Sequence, residues 1–358
     1  MSTRPRVGRR ANRVTAVAAA ALAMLVLTGC PPQPPSSGSD PSLNMIDPYE
    51  TDPTLPSEPD AAQFSIRPSG APRQRLVVMF NGTGSVPTSM SRVGKSLAAQ
   101  GFHVIGLRYQ SNVGTLEACP NSMLLIDPEC HRRLRSEVVF GANVPGSLSE
   151  VGYDHLALNV DERTAVMNRL LAYVQHLALT RPGEGWGDYL MTDSQGTCVQ
   201  VDPVNGRCHL VWGNVVALGY SQGAGVALYL AKYVPLNRLA MISGPFDAFF
   251  VSGGTYVPAP WLSDPFVTDR SAMGVLIHAE ESHAARERTA VSALGLNDLE
   301  VDVTTTDPPY WGSRRLVTTE QPTCTFPPPD WAHTAAVGNS CTPQEHHIPA
   351  WTYLAGGF

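Results

Sequence analysis

The chain has 358 residues, 43% of them hydrophobic and 16% charged, with a formal charge of −6. An acidic balance without any basic stripe excludes nucleic acid as a partner. No apolar run reaches the roughly 18 residues that a membrane-spanning helix needs.

In chain order, Arg4, Arg6, Arg9, Arg10 and Arg13 precede an acid-free apolar run from Val14 to Thr28. This is the layout of a secretory signal, predicted to occupy residues 1–29 and to be removed. It ends in Leu27-Thr28-Gly29-Cys30, which resembles a bacterial lipobox, so Cys30 is the expected lipidation site and a cell-envelope lipoprotein the expected form. The chain would then meet a membrane through an N-terminal lipid anchor. Residues 30–60 are rich in proline, serine and acids, a composition that cannot bury enough apolar surface to order itself, and they read as a disordered tether. Residues 61–358 suffice for one large core.

Within that part, Arg75–Phe80 reads as an apolar strand, followed by the glycine loop Asn81-Gly82-Thr83-Gly84 and a helix that closes at Gly101. A strand over 102–109 comes next, and two strands joined through a helix imply a parallel sheet. A long amphipathic helix is expected from Asn159 to about Leu179, and strands at 215–220, 238–243, 273–278 and 314–319, with a final helix near 348–354. The alternation points to a doubly wound, mostly parallel α/β sheet with loop-rich insertions at strand ends. Those insertions cover 110–157, 181–213 and 248–272, and the last contains Phe249, Phe250, Tyr256, Trp261 and Phe266, which suit either a substrate wall or local packing.

Six cysteines remain beside Cys30, and an exported protein meets an oxidising compartment. Short loops favour Cys119–Cys130, Cys198–Cys208 and Cys324–Cys341 among fifteen possible connectivities. No C-x-x-C spacing occurs, so neither a metal nor another cofactor is expected.

The chemistry centres on Gly219-Tyr220-Ser221-Gln222-Gly223. A short apolar strand leads into this G-x-S-x-G and a helical pattern leaves it, which is the context of a nucleophile elbow. There the serine sits at a strained turn, the flanking glycines relieve crowding, and the helix N-terminus favours developing negative charge.

The order of parts, glycine loop, elbow, acids after a later strand and histidine near the C-terminus, resembles the α/β-hydrolase superfamily over residues 74–356. More narrowly, "GTGSVP", "GWGDYL", "GYSQGAG", "ISGPFD" and "WAHTAAV" look like bacterial secreted or lipid-anchored α/β hydrolases of unassigned substrate. The resemblance implies a Ser/acid/His mechanism. Ser221 is the nucleophile, and the oxyanion donors are the backbone N–H of Gln222 and of Thr83 or its neighbour Gly82. The superfamily usually places an aspartate after the strand that here reads "MGVLIH", whereas this chain offers Glu281 and Glu280; Asp247, after the preceding strand, is the alternative acid. His333 fits the loop between the last strand and last helix. His346 and His347, next to that helix, are the alternative bases, with capping or surface roles otherwise. Small-molecule or lipid esters are the implied substrates. A catalytically inactive binding or scaffold protein that keeps the fold is the competing reading.

Overall fold

The computed structural model describes residues 42–152, 158–203, 205–251 and 253–357. The expected signal segment, Cys30 and the first part of the tether lie outside the described residues. In chain order the elements are β1 (Asn44–Ile46), α1 (Pro48–Thr51), β2 (Gln63–Ile66), β3 (Leu76–Phe80), α2 (Ser91–Ala99), β4 (His103–Gly106), α3 (Thr115–Ala118), α4 (Asn121–Leu124), α5 (Cys130–Phe140), α6 (Val166–Thr180), β5 (Val215–Tyr220), α7 (Gln222–Tyr233), β6 (Arg238–Ile242), β7 (Ala248–Val251), β8 (Thr255–Pro258), β9 (Met273–His278), α8 (Ala284–Ala293), β10 (Val301–Asp302), β11 (Arg315–Thr318), α9 (Trp331–Ala335) and α10 (His347–Leu354).

The main sheet runs in the order β1-β2-β4-β3-β5-β6-β9-β11-β10. β1 and β2 are antiparallel to their neighbours, and all pairs from β4 onward are parallel. Strands β3, β5 and β9 are buried at every position, which is why their sequences are continuous apolar runs and not alternating ones. Successive side chains still point to opposite faces. Val215 and Ala217 pack with Leu134, Leu170 and Leu228 under α5, α6 and α7, while Val216 and Leu218 pack with Val93, Leu97 and Trp351 under α2 and α10. Two helical layers thus sandwich one sheet, as the sequence pattern anticipates.

The structure departs from the sequence reading in several places. The tether does not extend to residue 60, because Asn44–Ile46 pairs with β2 and Asp47 and Glu50 form a capping box that starts α1. β1 is thereby tied to the sheet by backbone bonds, and Ile46 and Leu55 are buried, which composition does not reveal. The strand expected at 102–109 is ordered as β4 only over His103–Gly106, since its partner β3 ends at Phe80. The helix expected from Asn159 starts at Val166; before it, Asp161 Oδ1 accepts the Thr164 N–H at 2.8 Å and holds a turn. Over 248–272, β7 and β8 form an antiparallel hairpin. Its region's aromatics pack locally: Trp261 is buried edge-on to Tyr229, and Phe266 lies under Lys232 and Arg270. The substrate-wall alternative for these rings is therefore dropped.

Candidate active site

Ser221 stands between the end of β5 and the first residue of α7, with φ 57° and ψ −121°. For a residue with a Cβ this is a strained conformation, the kind that persists where surrounding structure over-determines it. The glycines around it make the geometry possible. A Cβ on Gly219 would overlap the Gly223 carbonyl, and one on Gly223 would overlap the Phe80 carbonyl at the end of β3. The strand and helix therefore approach to backbone distance, and the Ser221 side chain is lifted above the C-terminal edge of the sheet.

His333 reaches this serine from α9. Its Nε2 lies 2.9 Å from Ser221 Oγ, and its Nδ1 is hydrogen bonded to Glu281 Oε1. Glu281 sits in the turn after β9, where its N–H donates to the His278 carbonyl and its own carbonyl accepts from Ala284; the carboxylate is fully buried. The imidazole is gripped between Tyr220, 5.1 Å away between ring centroids, and Phe246, stacked at 5.7 Å. Ser243 donates its hydroxyl to the His333 carbonyl at 3.1 Å, which fixes the backbone that carries the ring.

The other candidates lie elsewhere. Asp247 is buried and bound to the Arg135 guanidinium, with Oδ2 at 2.9 Å from Nη2, so it neutralises a cation and does not meet His333. Glu280 is exposed and accepts from Gln321 Nε2 at 2.8 Å. His346 caps α10 and faces Glu320 at 2.8 Å. His347 is not at the surface: it is buried against Thr318 Oγ1 at 2.9 Å, and that burial pushes its imidazole down to about 4, so it stays neutral.

The glycine loop adjoins the elbow. Asn81 donates to the Ser85 carbonyl at 2.7 Å and to Ser111 Oγ at 3.1 Å, while Tyr109 donates to the Asn81 carbonyl. Thr83 Oγ1 bonds Gln222 Oε1 at 2.7 Å, linking the loop to α7. Among the described residues no acceptor engages the backbone N–H of Thr83 or of Gln222, and Gly82 has no room for a Cβ against Tyr220. A cleft of about 580 Å³ opens over Ser221, lined by Gly82, Thr83, Tyr220, Asp330, His333 and Asn339 among others. One wall is the 324–341 loop, closed by the Cys324–Cys341 disulfide; Cys119–Cys130 and Cys198–Cys208 are the other two bridges, the pairing that short loops favour.

Among the described residues, one group of acidic and histidine atoms lies close enough to converge on an ion: Glu281, Glu287 and His333. Its Glu281–His333 pair is already closed by a hydrogen bond, so we identify no metal ligands there.

An antiparallel β2 followed by a parallel sheet in this order, with a strained serine between β5 and α7, is the layout in which a nucleophile elbow occurs. The fold is that of the α/β hydrolases. No protein-family model and no curated protein matches the sequence. Solved structures that resemble it include a dienelactone hydrolase from Anabaena variabilis, at 15% identity over 88% of this chain and 100% of that one, with a TM-score of 0.35. Esterase 2 of Thermogutta terrifontis, phosphonylated by sarin, is 14% identical over 78% of this chain and 84% of its own, with a TM-score of 0.35. An α/β serine hydrolase without lid from Xanthomonas campestris is 12% identical over 79% and 84%, with a TM-score of 0.32. No residue's role is carried over from them.

Proposed function

We propose that the chain is a serine hydrolase that cleaves carboxylic esters of small molecules or lipids through an acyl-enzyme intermediate. The observation that carries the reading is the Ser221 Oγ–His333 Nε2 separation of 2.9 Å at the strained elbow, with Glu281 on the far ring nitrogen. A serine hydroxyl is a weak nucleophile until an adjacent base takes its proton. Here Oγ attacks the ester carbonyl as Nε2 accepts that proton, and the Glu281 carboxylate stabilises the imidazolium. The N–H groups of Gln222 and Thr83, free of other acceptors, receive the oxyanion; losing one such donor typically costs about 3 kcal/mol of transition-state stabilisation. Collapse passes the proton from His333 to the leaving alcohol. Water then adds to the acyl carbonyl as the same nitrogen takes its proton, and collapse breaks the acyl–Oγ bond, returning that proton to Ser221 Oγ and releasing the acid.

A fluorophosphonate probe is expected to label the purified protein at Ser221, and p-nitrophenyl esters of graded acyl length to be hydrolysed with no loss on adding EDTA. Peptide mapping that finds the label elsewhere, or an unlabelled protein inert to every ester, sinks the proposal in favour of a binding protein.

The same proposal places the enzyme in the bacterial cell envelope, held at a membrane through lipidated Cys30, because the lipobox-like segment puts a cysteine directly after a short apolar run. One acyl chain anchors marginally and two or three hold firmly. Mass spectrometry of the mature N-terminus is expected to show a diacylglyceryl cysteine, and Cys30→Ser to release the protein from the membrane fraction. An N-terminus without lipid mass overturns this part alone.

A further inference from the structure

Glu287 lies in the first turn of α8, in the run Arg286-Glu287-Arg288. In the fold it is completely buried. Its carboxylate comes within 4.8 Å of both Glu281 and His333 ligand atoms. Among the described residues no donor satisfies either oxygen of Glu287, nor Glu281 Oε2. Nearby cations do not reach the pair: Arg288 is held by Glu300 at 2.8 Å, and Arg286 lies over the Tyr256 ring with Nε and Nη1 bonded to no described residue, Glu287 included. His283 packs edge-on to Phe246, and burial lowers its proton affinity. His278 on β9 bonds the Glu320 carbonyl through Nε2 and the Glu280 N–H through Nδ1. Tyr220, on β5, is largely buried. Two carboxylates in such a dry site cannot both be ionised, and one proton between them joins one Glu287 oxygen to Glu281 Oε2, leaving a single neutral carbonyl oxygen without a donor.

We propose that Glu287 is a neutral carboxylic acid whose O–H donates to Glu281 Oε2, so that Glu281 stays an anion with Oε1 kept for His333. The direction of its proton affinity agrees: burial first, and then the charge of Glu281, raise the Glu287 carboxyl well above the usual carboxylate range. The carboxyl pair stands on the geometry, while its role in turnover rests on the serine hydrolase reading. Glu287 touches no substrate; it is a positioning residue, acting through Glu281. Glutamine at this place would keep an N–H donor without needing a proton, whereas leucine would remove the donor.

The sign of the linkage is definite. A carboxyl with raised affinity in the fold binds more protons folded than unfolded, so stability falls as pH rises from the unfolded value of about 4.3 toward the folded one. Glu287→Gln abolishes this loss.

The test uses the full mature chain with its disulfides intact. The infrared spectrum at pH 7 is expected to contain the C=O stretch of one protonated carboxylic acid, missing in Glu287→Gln. Thermal midpoints of Glu287→Gln should gain on wild type as pH rises from 5 to 8. On a p-nitrophenyl ester, Glu287→Gln should keep kcat within about threefold with the acid limb of kcat/KM unmoved. Glu287→Leu should lose roughly tenfold to a hundredfold in kcat at unchanged KM, the usual worth of a hydrogen bond to a charge. A band that persists in Glu287→Gln or is missing from wild type overturns the proposal. So does an acid limb shifted down by a unit in Glu287→Gln, which would mean an anion had been removed, and so does chelator-sensitive activity restored by zinc. If Glu287→Leu does not fold, the infrared and glutamine results decide. Failure of the hydrolase reading would show separately, as ester turnover surviving in Ser221→Ala, and would leave the infrared result standing.

Discussion

Ser221→Ala and His333→Ala are each expected to lower kcat on a p-nitrophenyl ester by about four to six orders of magnitude, and the double variant by no more than the worse single one. The reason is that the two side chains perform one step. Without the imidazole the hydroxyl keeps its proton, and without the hydroxyl the imidazole has nothing to activate, so their losses overlap. What survives is the residual catalysis of the oxyanion donors and of binding, roughly a thousandfold to ten-thousandfold over water. KM should change little, because the cleft over Ser221 is walled mainly by the glycine loop and the 324–341 loop. His346→Ala/His347→Ala is the control. His346 faces Glu320 and His347 is packed against Thr318, so that pair should lose stability and keep turnover per folded molecule. A His333→Ala enzyme near wild-type turnover, with the double histidine variant down a thousandfold, would move the base to the later pair.

Most of this arrangement is legible before any coordinates, because its signals are local. The strand-serine-helix pattern with glycines two positions either side states its own geometry, and the overlaps that a Cβ at Gly219 or Gly223 would create show why no other residue fits. Three buried strands announce themselves as apolar runs. His333 is marked by its place between the last strand and the last helix. The carboxylate is harder, since Glu280 and Glu281 are adjacent and differ only in which way the turn after β9 points them. One faces the solvent and Gln321, and the other faces His333, a difference of one residue in a turn that periodicity does not encode.

The remaining parts of the site are non-local and have no motif. Ser243 acts on His333 across 90 positions of sequence, and Arg135 meets Asp247 across 112. Gly225 looks like an ordinary helix glycine; its role appears only when the Arg135 guanidinium is found where a Cβ would stand. Glu287 carries no sequence signal of its burial, since it stands between two arginines. The short strands β1 and β10 are defined by pairing to the sheet and carry no periodicity of their own, and composition alone therefore extends the tether past β1.

Asp247→Ala and Glu281→Gln separate the two buried carboxylates by opposite signatures. Asp247 and Arg135 are both fully buried. The guanidinium also donates to the Gln222 carbonyl at 3.2 Å and to Thr115 Oγ1 at 3.1 Å. Removing the carboxylate leaves a fully buried cation without its counter-ion, and such a break in a protein interior costs about 3–5 kcal/mol. The nearby His131 offers no compensation, since burial lowers it to about 4 and keeps it neutral. Asp247→Ala should therefore lower Tm by on the order of 5–10 °C, with turnover per folded molecule within about tenfold of wild type, the Gln222 carbonyl contact being the route by which any loss reaches the elbow. Glu281→Gln should leave Tm within a few degrees, because it replaces one member of a crowded carboxyl pair by a neutral group of the same shape. Its kcat should fall by about two to four orders of magnitude, as an amide no longer stabilises the imidazolium or selects the ring tautomer that presents Nε2 to Ser221. Denaturant melts and active-site-titrated kinetics on the two variants settle the assignment. A stable Asp247→Ala enzyme with kcat down a thousandfold, beside an active Glu281→Gln, would make Asp247 the acid that orients His333.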